Sequence, residues 1–199
     1  VLNQKFLYHS YNTAKSLTKF QNFKAQCKNL KKKIKNLNKL SNRLFIIDFK
    51  GDMQASQIDT LRHEIDLILT LASETDSILL RLNSRGGTIT GYGLAASQIK
   101  RLRDANLHLT ISIDEVAASG GYLIASLAND IIAAPFACIG SIGVACELPN
   151  LNKLLSKHGV EYTQITAGKY KRTLSLLGKN TPEGEKKVKE DIELAHTLF

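Results

Sequence analysis

The chain predicts an α/β fold with a mainly parallel sheet and an N-terminal amphipathic helical extension, on three observations. From residue 44 onward, short β-branched or aromatic runs alternate with segments of helical period; strands that alternate with helices pair in parallel and are covered on both faces. Hydrophobic residues make up 43 % of the 199, enough to fill a substantial core. Before residue 44 the composition turns strongly basic, and residues 15–41 contain neither Pro nor Gly.

The elements follow in order. In residues 15–41 the apolar positions Phe20, Phe23, Cys27, Leu30, Ile34 and Leu37 are separated by steps of 3, 4, 3, 4 and 3, and Lys31, Lys32, Lys33 and Lys35 crowd the polar side. That is a helical or heptad stripe, fit for a coiled coil, another chain or a membrane surface. LFIIDFKG, residues 44–51, is a strand closed by glycine. Residues 56–72 carry Ile58, Leu61, Ile65, Ile68, Leu69 and Leu71, a helix with a buried face. SILLRLN, residues 77–83, is the next strand, and SRGGTITGYG follows it. Residues 94–102 are a helix with Ile99 and Leu102 inward, and LHLTISI, residues 107–113, is a third strand. Ser119 opens a helix, DIIAAP at 130–135 is a fourth strand stopped by Pro135, and NLNKLLSKHG at 150–159 is a helix with an Asn cap and a Gly stop. VEYTQIT at 160–166 reads as a fifth strand, and Thr181 caps a last helix with Pro182 in its first position. The expected organisation is a basic leader over residues 1–43 and a globular domain over 44–199.

Charge is unevenly placed. The first 50 residues hold twelve Lys or Arg against one acid, a net of +11; the other 149 hold fifteen against seventeen, a net of −2. A basic leader on a near-neutral domain points to an anionic partner, with a membrane surface preferred to nucleic acid. Cys27, Cys138 and Cys146 are an odd number without metal-ligand spacing, so neither a disulfide framework nor a metal site is expected. Cys138 and Cys146 lie in apolar stretches and read as small core residues. No apolar run is long enough to span a bilayer, and no secretory leader is present. The first residue is Val and the last, Phe199, falls inside a helical pattern, so both ends are expected to be cut edges of a longer protein.

Four small-residue turns carry the chemistry: SRGG at 84–87, VAASGG around Ser119, GSIG around Ser141, and TAGKYKRT, which places Lys171 52 positions after Ser119. A serine beside a lysine that has lost its proton can attack an amide carbonyl. An ordinary lysine holds its proton up to about pH 10.4 and must shift by about 3 units to serve, which apolar burial can supply. Lys169, Lys171 and Arg172 compete for that role on sequence alone. Tiny neighbours, Ala117, Ala118, Gly120 and Gly121, would leave the Ser119 hydroxyl uncovered; a plain helix N-cap is the competing reading. The amides of Gly87 and Gly120 could face a developing oxyanion, and the Ser141 hydroxyl could orient the lysine amine. A phosphate loop at GGTITGYG fails for want of a following GK[ST]. A Ser-His-Asp site finds no GxSxG elbow, because position 117 is Ala.

Together FIIDFKG, LLRLNSRGG, GYGLAASQIKRLRD, VAASGGYLIA, APFACIGSIGV and TAGKYKRTLSLLGKNT resemble the protease IV and SohB-type signal peptide peptidases of bacteria, most nearly the SohB branch, over residues 44–199. The resemblance implies a ClpP/crotonase-like fold of repeated β-β-α units, with Ser119 as nucleophile, Lys171 as general base, Ser141 orienting the lysine, and Gly87 with Gly120 as oxyanion hole. It also implies a serine endopeptidase, without cofactor, that cleaves membrane-associated peptides such as spent signal peptides. It further implies a homo-oligomer in the bacterial inner membrane, with the site on the periplasmic side and the anchor outside this chain. Arg85 stands where the family usually has Pro before the glycine pair. The alternatives are an inactive, truncated paralogue that binds peptides, and an acyl-CoA enzyme of crotonase type, for which Glu115 and Glu147 are the carboxylates nearest the turns in sequence.

Overall fold

A computed structural model describes residues 42–199. The expected leader helix, up to residue 41 and including Cys27, lies outside the described residues. The chain forms two compact units, the first ending at Ser141 and the second running from Ile142 to Phe199.

The first unit is a twisted parallel sheet with helical crossovers. Its elements are β1 (Leu44–Gly51), α1 (Ile58–Leu71), β2 (Ser77–Ser84), α2 (Ile89–Asp104), β3 (His108–Ala118), α3 (Gly120–Ala125), β4 (Asp130–Ala133) and β5 (Cys138–Gly140). Strand order is β1-β2-β3-β4, every pairing is parallel, and β5 joins β3 beyond β4. The α/β class with a parallel sheet is therefore what the chain forms. Register places Phe45 beside Ile78 and Ile78 beside Leu109, so the period of two keeps one set of side chains on one face across three strands. That face, with Ile47, Phe49, Leu80, Leu82, Ile111 and Ile113, is buried against Leu61, Ile65 and Ile68 of α1, Ile99 and Leu102 of α2 and Ile124 of α3. The other face departs from the expectation of two covered faces. It carries Asp48 and Arg81, paired across β1 and β2 at 2.6 Å, because these strands alternate apolar with polar residues.

Two boundaries differ from those the sequence suggests. β3 runs five residues past Ile113, because its distal part has partners of its own: Ser84 beside Ala117 after a shift in the β2 register, and β5 beside Val116–Ala118. The short β5 was not anticipated. Helix α2 begins at Ile89, five residues earlier than the apolar period suggested, directly behind the glycine pair. Cys138 and Cys146 are exposed and free, not core residues: Cys138 sits on the edge strand β5 and Cys146 in irregular chain.

The second unit holds α4 (Asn152–Lys157) and α5 (Pro182–Leu198). Thr181 caps α5 as expected, its hydroxyl accepting from the Gly184 N–H at 3.1 Å. Asn150 lies just outside α4; its amide donates to the carbonyls of Ser175 and Gly178 at 2.8 and 2.9 Å and so closes a loop. Residues 160–166 are not a strand. Their alternation suits one, but no described strand pairs with them, and an isolated strand has no ladder to satisfy its backbone.

Candidate active site

The chain turns sharply between β3 and α3, and Ser119 is the turn. Its φ is 49° and its ψ −123°, a left-handed value that costs a side-chain-bearing residue about 1–3 kcal/mol and persists only where the surroundings impose it. Here the Ser119 N–H donates to the Gly140 carbonyl at 2.8 Å, and the Ser119 carbonyl accepts from Leu123 at 3.0 Å. Both backbone groups are clamped, and the half-buried hydroxyl is left over. It makes no cap bond and has no hydrogen-bond partner among the described residues, so the plain N-cap reading does not describe it.

The SRGG loop lies against this turn. Gly86 adopts φ 84°, and a Cβ there would stand 2.7 Å from the Gly120 nitrogen and 2.8 Å from the Ser119 Cβ; only glycine fits both the conformation and the space. Gly87 rests on the Met53 backbone, and the next amide, Thr88, donates to the Met53 carbonyl at 2.9 Å. Among the described residues no acceptor takes the N–H of Gly87 or of Gly120. A Cβ on Gly120 would overlap the ring of Tyr92.

Ser141 follows β5 and also has a positive φ, 53°. Ala118 pairs with Gly140, and Ser119 and Ser141 are the residues that follow that last pair on the two strands. The first unit thus sets the Gly86–Gly87 loop against Ser119 and Gly120, with the exposed Ser141 just past β5. Lys171 belongs to the second unit, in a turn where its N–H donates to the Gly168 carbonyl at 3.2 Å. Its neighbour Lys169 is committed elsewhere. It bonds Glu183 at 2.7 Å, which, together with Tyr170, raises its pKa and favours the charged form. Arg172 cannot serve as a base, because guanidinium does not give up its proton in proteins. Lys171 has no carboxylate partner among the described residues, but it is exposed, so the apolar burial expected for it is not what the chain around it supplies.

Two other titratable groups are occupied. His108 pairs with Asp130 at 2.7 Å at the start of β3, the far end from Ser119 and about 35 Å away along an extended strand. Glu115 accepts from the Asn83 amide at 2.9 Å. Two residues beneath the loop were not singled out from sequence, Ser84 and Tyr92, each 1 % exposed. Their hydroxyls lie 2.6 Å apart, and the Tyr92 hydroxyl donates to the Asp52 carbonyl at 2.7 Å. Burial raises the pKa of the phenol, which keeps its proton. A signal was present: Tyr92, Ala95, Ala96, Ile99 and Leu102 recur at helical spacing, and a tyrosine on such a buried stripe needs a partner for its hydroxyl. No helix among the described residues is long and apolar enough to cross a membrane.

Comparison with known proteins finds two adjoining family matches, peptidase family S49 N-terminal over residues 1–99 and peptidase family S49 over residues 101–199. A "Probable protease SohB" of Buchnera aphidicola subsp. Schlechtendalia chinensis is 49 % identical over 189 residues, 95 % of this chain and 62 % of the relative. The "Probable protease SohB" of Haemophilus influenzae is 48 % identical over 78 % of this chain and 44 % of its own length. "Protease 4" of Salmonella typhi is 30 % identical over 75 % of this chain and 23 % of its own length. The chain spans about half the length of the curated relatives it matches. Among solved structures, a ClpP1 mutant of Listeria monocytogenes gives a TM-score of 0.33 at 17 % identity, covering 47 % of this chain and 50 % of that one. That likeness is too partial to bear on function.

Proposed function

The chain belongs to peptidase family S49, and from that membership we propose that it carries the catalytic centre of a serine endopeptidase using Ser119 and Lys171. The observation that carries the reading is the Ser119 turn: a nucleophile-type residue held at positive φ with an uncommitted hydroxyl, followed by the unused Gly120 amide and lying under a glycine loop whose Gly87 amide is also unused. In this reading the neutral Lys171 amine takes the Ser119 proton as Oγ attacks the peptide carbonyl. The oxyanion receives the N–H groups of Gly87 and Gly120, the second aided by its place at the start of α3. The tetrahedral intermediate collapses, Lys171 returns the proton to the leaving amine, and the acyl-Ser119 ester forms. Water then attacks the ester with Lys171 again as base, releasing the acid and restoring the serine. Ser141 orients the amine.

The resemblance supports membrane-associated peptides, such as cleaved signal peptides, as substrates. The basic leader supports a membrane surface as partner. A homo-oligomer placed at the bacterial inner membrane, with its site on the periplasmic side, completes the proposal. The test is hydrolysis of a fluorogenic peptide by the full-length protein and three variants. Ser119→Ala and Lys171→Ala lose activity by about 10³-fold or more. Lys169→Ala, which removes surface contacts to Glu183 and Tyr170, stays within a few-fold of the parent. Full activity in Ser119→Ala refutes the reading, and an inert parent protein favours a peptide-binding paralogue.

A further inference from the structure

Resting on the Ser119 reading, we propose that Ser84 and Tyr92 are positioning residues that hold the oxyanion loop in place through a one-way chain of hydrogen bonds ending at the Asp52 carbonyl. Proton bookkeeping fixes the direction. The Asp52 carbonyl only accepts, so the single Tyr92 hydroxyl proton is spent there, at 2.7 Å. The 2.6 Å contact between the two hydroxyls is then donated by Ser84 to Tyr92. The Ser84 oxygen is left as an acceptor, and the Gly86 N–H donates to it at 3.1 Å. Each hydroxyl donates once and accepts once, the Gly51 carbonyl lying farther from the Ser84 hydroxyl at 3.5 Å, and Ser84, Tyr92 and Gly86 are buried, where a broken link is costly; only the Asp52 end is exposed.

The far end of the chain is firm. Asp52 folds the turn after β1 by accepting from the Gln54 N–H at 3.2 Å and from the Ser56 N–H and hydroxyl at 2.8 and 2.6 Å. The same turn supplies the Met53 carbonyl that takes the Thr88 N–H. The glycine pair is therefore fastened on both sides, Gly86 through Ser84 and Thr88 through Met53. Two adjacent glycines are otherwise the softest backbone available, and an oxyanion donor works only when aimed before the charge develops. Tyr92 serves both donors: its hydroxyl anchors the Gly87 loop, while its ring packs on Gly120 and, edge to face, on Phe49 at 6.4 Å.

Tyr92→Phe is a clean probe, because it keeps the ring against Gly120 and removes only the hydroxyl. In the full-length protein it lowers kcat on a fluorogenic peptide by about tenfold, a fraction of the loss from deleting a donor, with KM within about twofold. The rate of Ser119 labelling by a fluorophosphonate, whose phosphoryl oxygen needs the same donors, falls in parallel. Ser84→Ala gives the same pattern. Should either variant fold poorly, amide exchange in the unaltered protein decides. The Gly86 N–H exchanges at least tenfold more slowly than an unprotected glycine amide; exchange at the unprotected rate overturns the tether. A Tyr92→Phe protein with parental kcat, or one altered in KM alone, overturns it too while leaving Ser119 as nucleophile intact. A parent protein whose Ser119 does not react overturns the tether and the Ser119 reading together.

Discussion

At Ser119, backbone strain and side-chain freedom go together. Both backbone polar groups of the residue are hydrogen-bonded, and its hydroxyl is not. The sequence made the location legible, since small residues flank a serine at a strand–helix junction. It did not reveal the positive φ, because nothing local in VAASGG demands it; the bond to Gly140 on β5 imposes it. Gly86 is the complementary case. Gly86→Ala would bring a Cβ to within 2.8 Å of the Ser119 Cβ at a φ of 84°, so the loop must move. We expect kcat to fall about 10²-fold, as when a donor is lost, and the midpoint of chemical unfolding to drop by an amount equal to about 1–3 kcal/mol. Unchanged kcat in Gly86→Ala would mean that the loop has no part in the reaction. Ser84 and Tyr92 escaped the sequence reading because their roles come from side chains meeting across β2 and α2, which spacing within either element does not show.

Strands β1, β2 and β4 and helix α5 were legible because each is marked by its own residues: an apolar run ended by Gly or Pro, or a Thr–Pro helix start. What was illegible depended on partners. β3 extends because β5 and Ser84 pair with it, and 160–166 fails as a strand because nothing described does. One link between elements was also hidden. Asp76, at the entry to β2, is buried and accepts from the Arg43 amide at 2.7 Å, the Arg43 guanidinium at 2.6 Å, and the Ser73 amide and hydroxyl at 2.8 and 2.9 Å. Arg43 also reaches the Leu71 carbonyl at 2.6 Å, so one cluster joins the start of β1, the end of α1 and the start of β2. Burial opposes the charge on Asp76, but these donors outweigh it and hold its pKa well below the usual carboxylate range. The unfolded carboxyl titrates near about pH 3.9. The stability from this group is thus complete above that pH and is lost as pH falls below it toward the depressed folded value. Asp76→Asn should cost about 3–5 kcal/mol at pH 7 by leaving Arg43 short of its buried partner. Urea unfolding at pH 7 and pH 3.5 should show this difference shrinking at the lower pH; a constant difference would assign Asp76 a role that does not depend on its charge.

On the scale of the whole molecule, charge and chemistry are segregated. The first 50 residues carry +11 and the rest −2. If the leader works at an anionic surface, the full-length protein should bind vesicles containing phosphatidylglycerol more weakly as salt rises. Reversing Lys31, Lys32, Lys33 and Lys35 to Glu should abolish the anionic-lipid preference; binding that ignores both salt and these lysines would separate the leader from any such surface. The catalytic proposal is likewise divided, with nucleophile and oxyanion donors in the first unit and the lysine in the second. Treating the full-length protein and its Lys171→Ala variant with a fluorophosphonate, then mapping the adduct by mass spectrometry, tests that division most directly. The account predicts one adduct, on Ser119, formed at least about 10²-fold more slowly in the variant. An adduct on another residue, or equal rates in the two proteins, would contradict it.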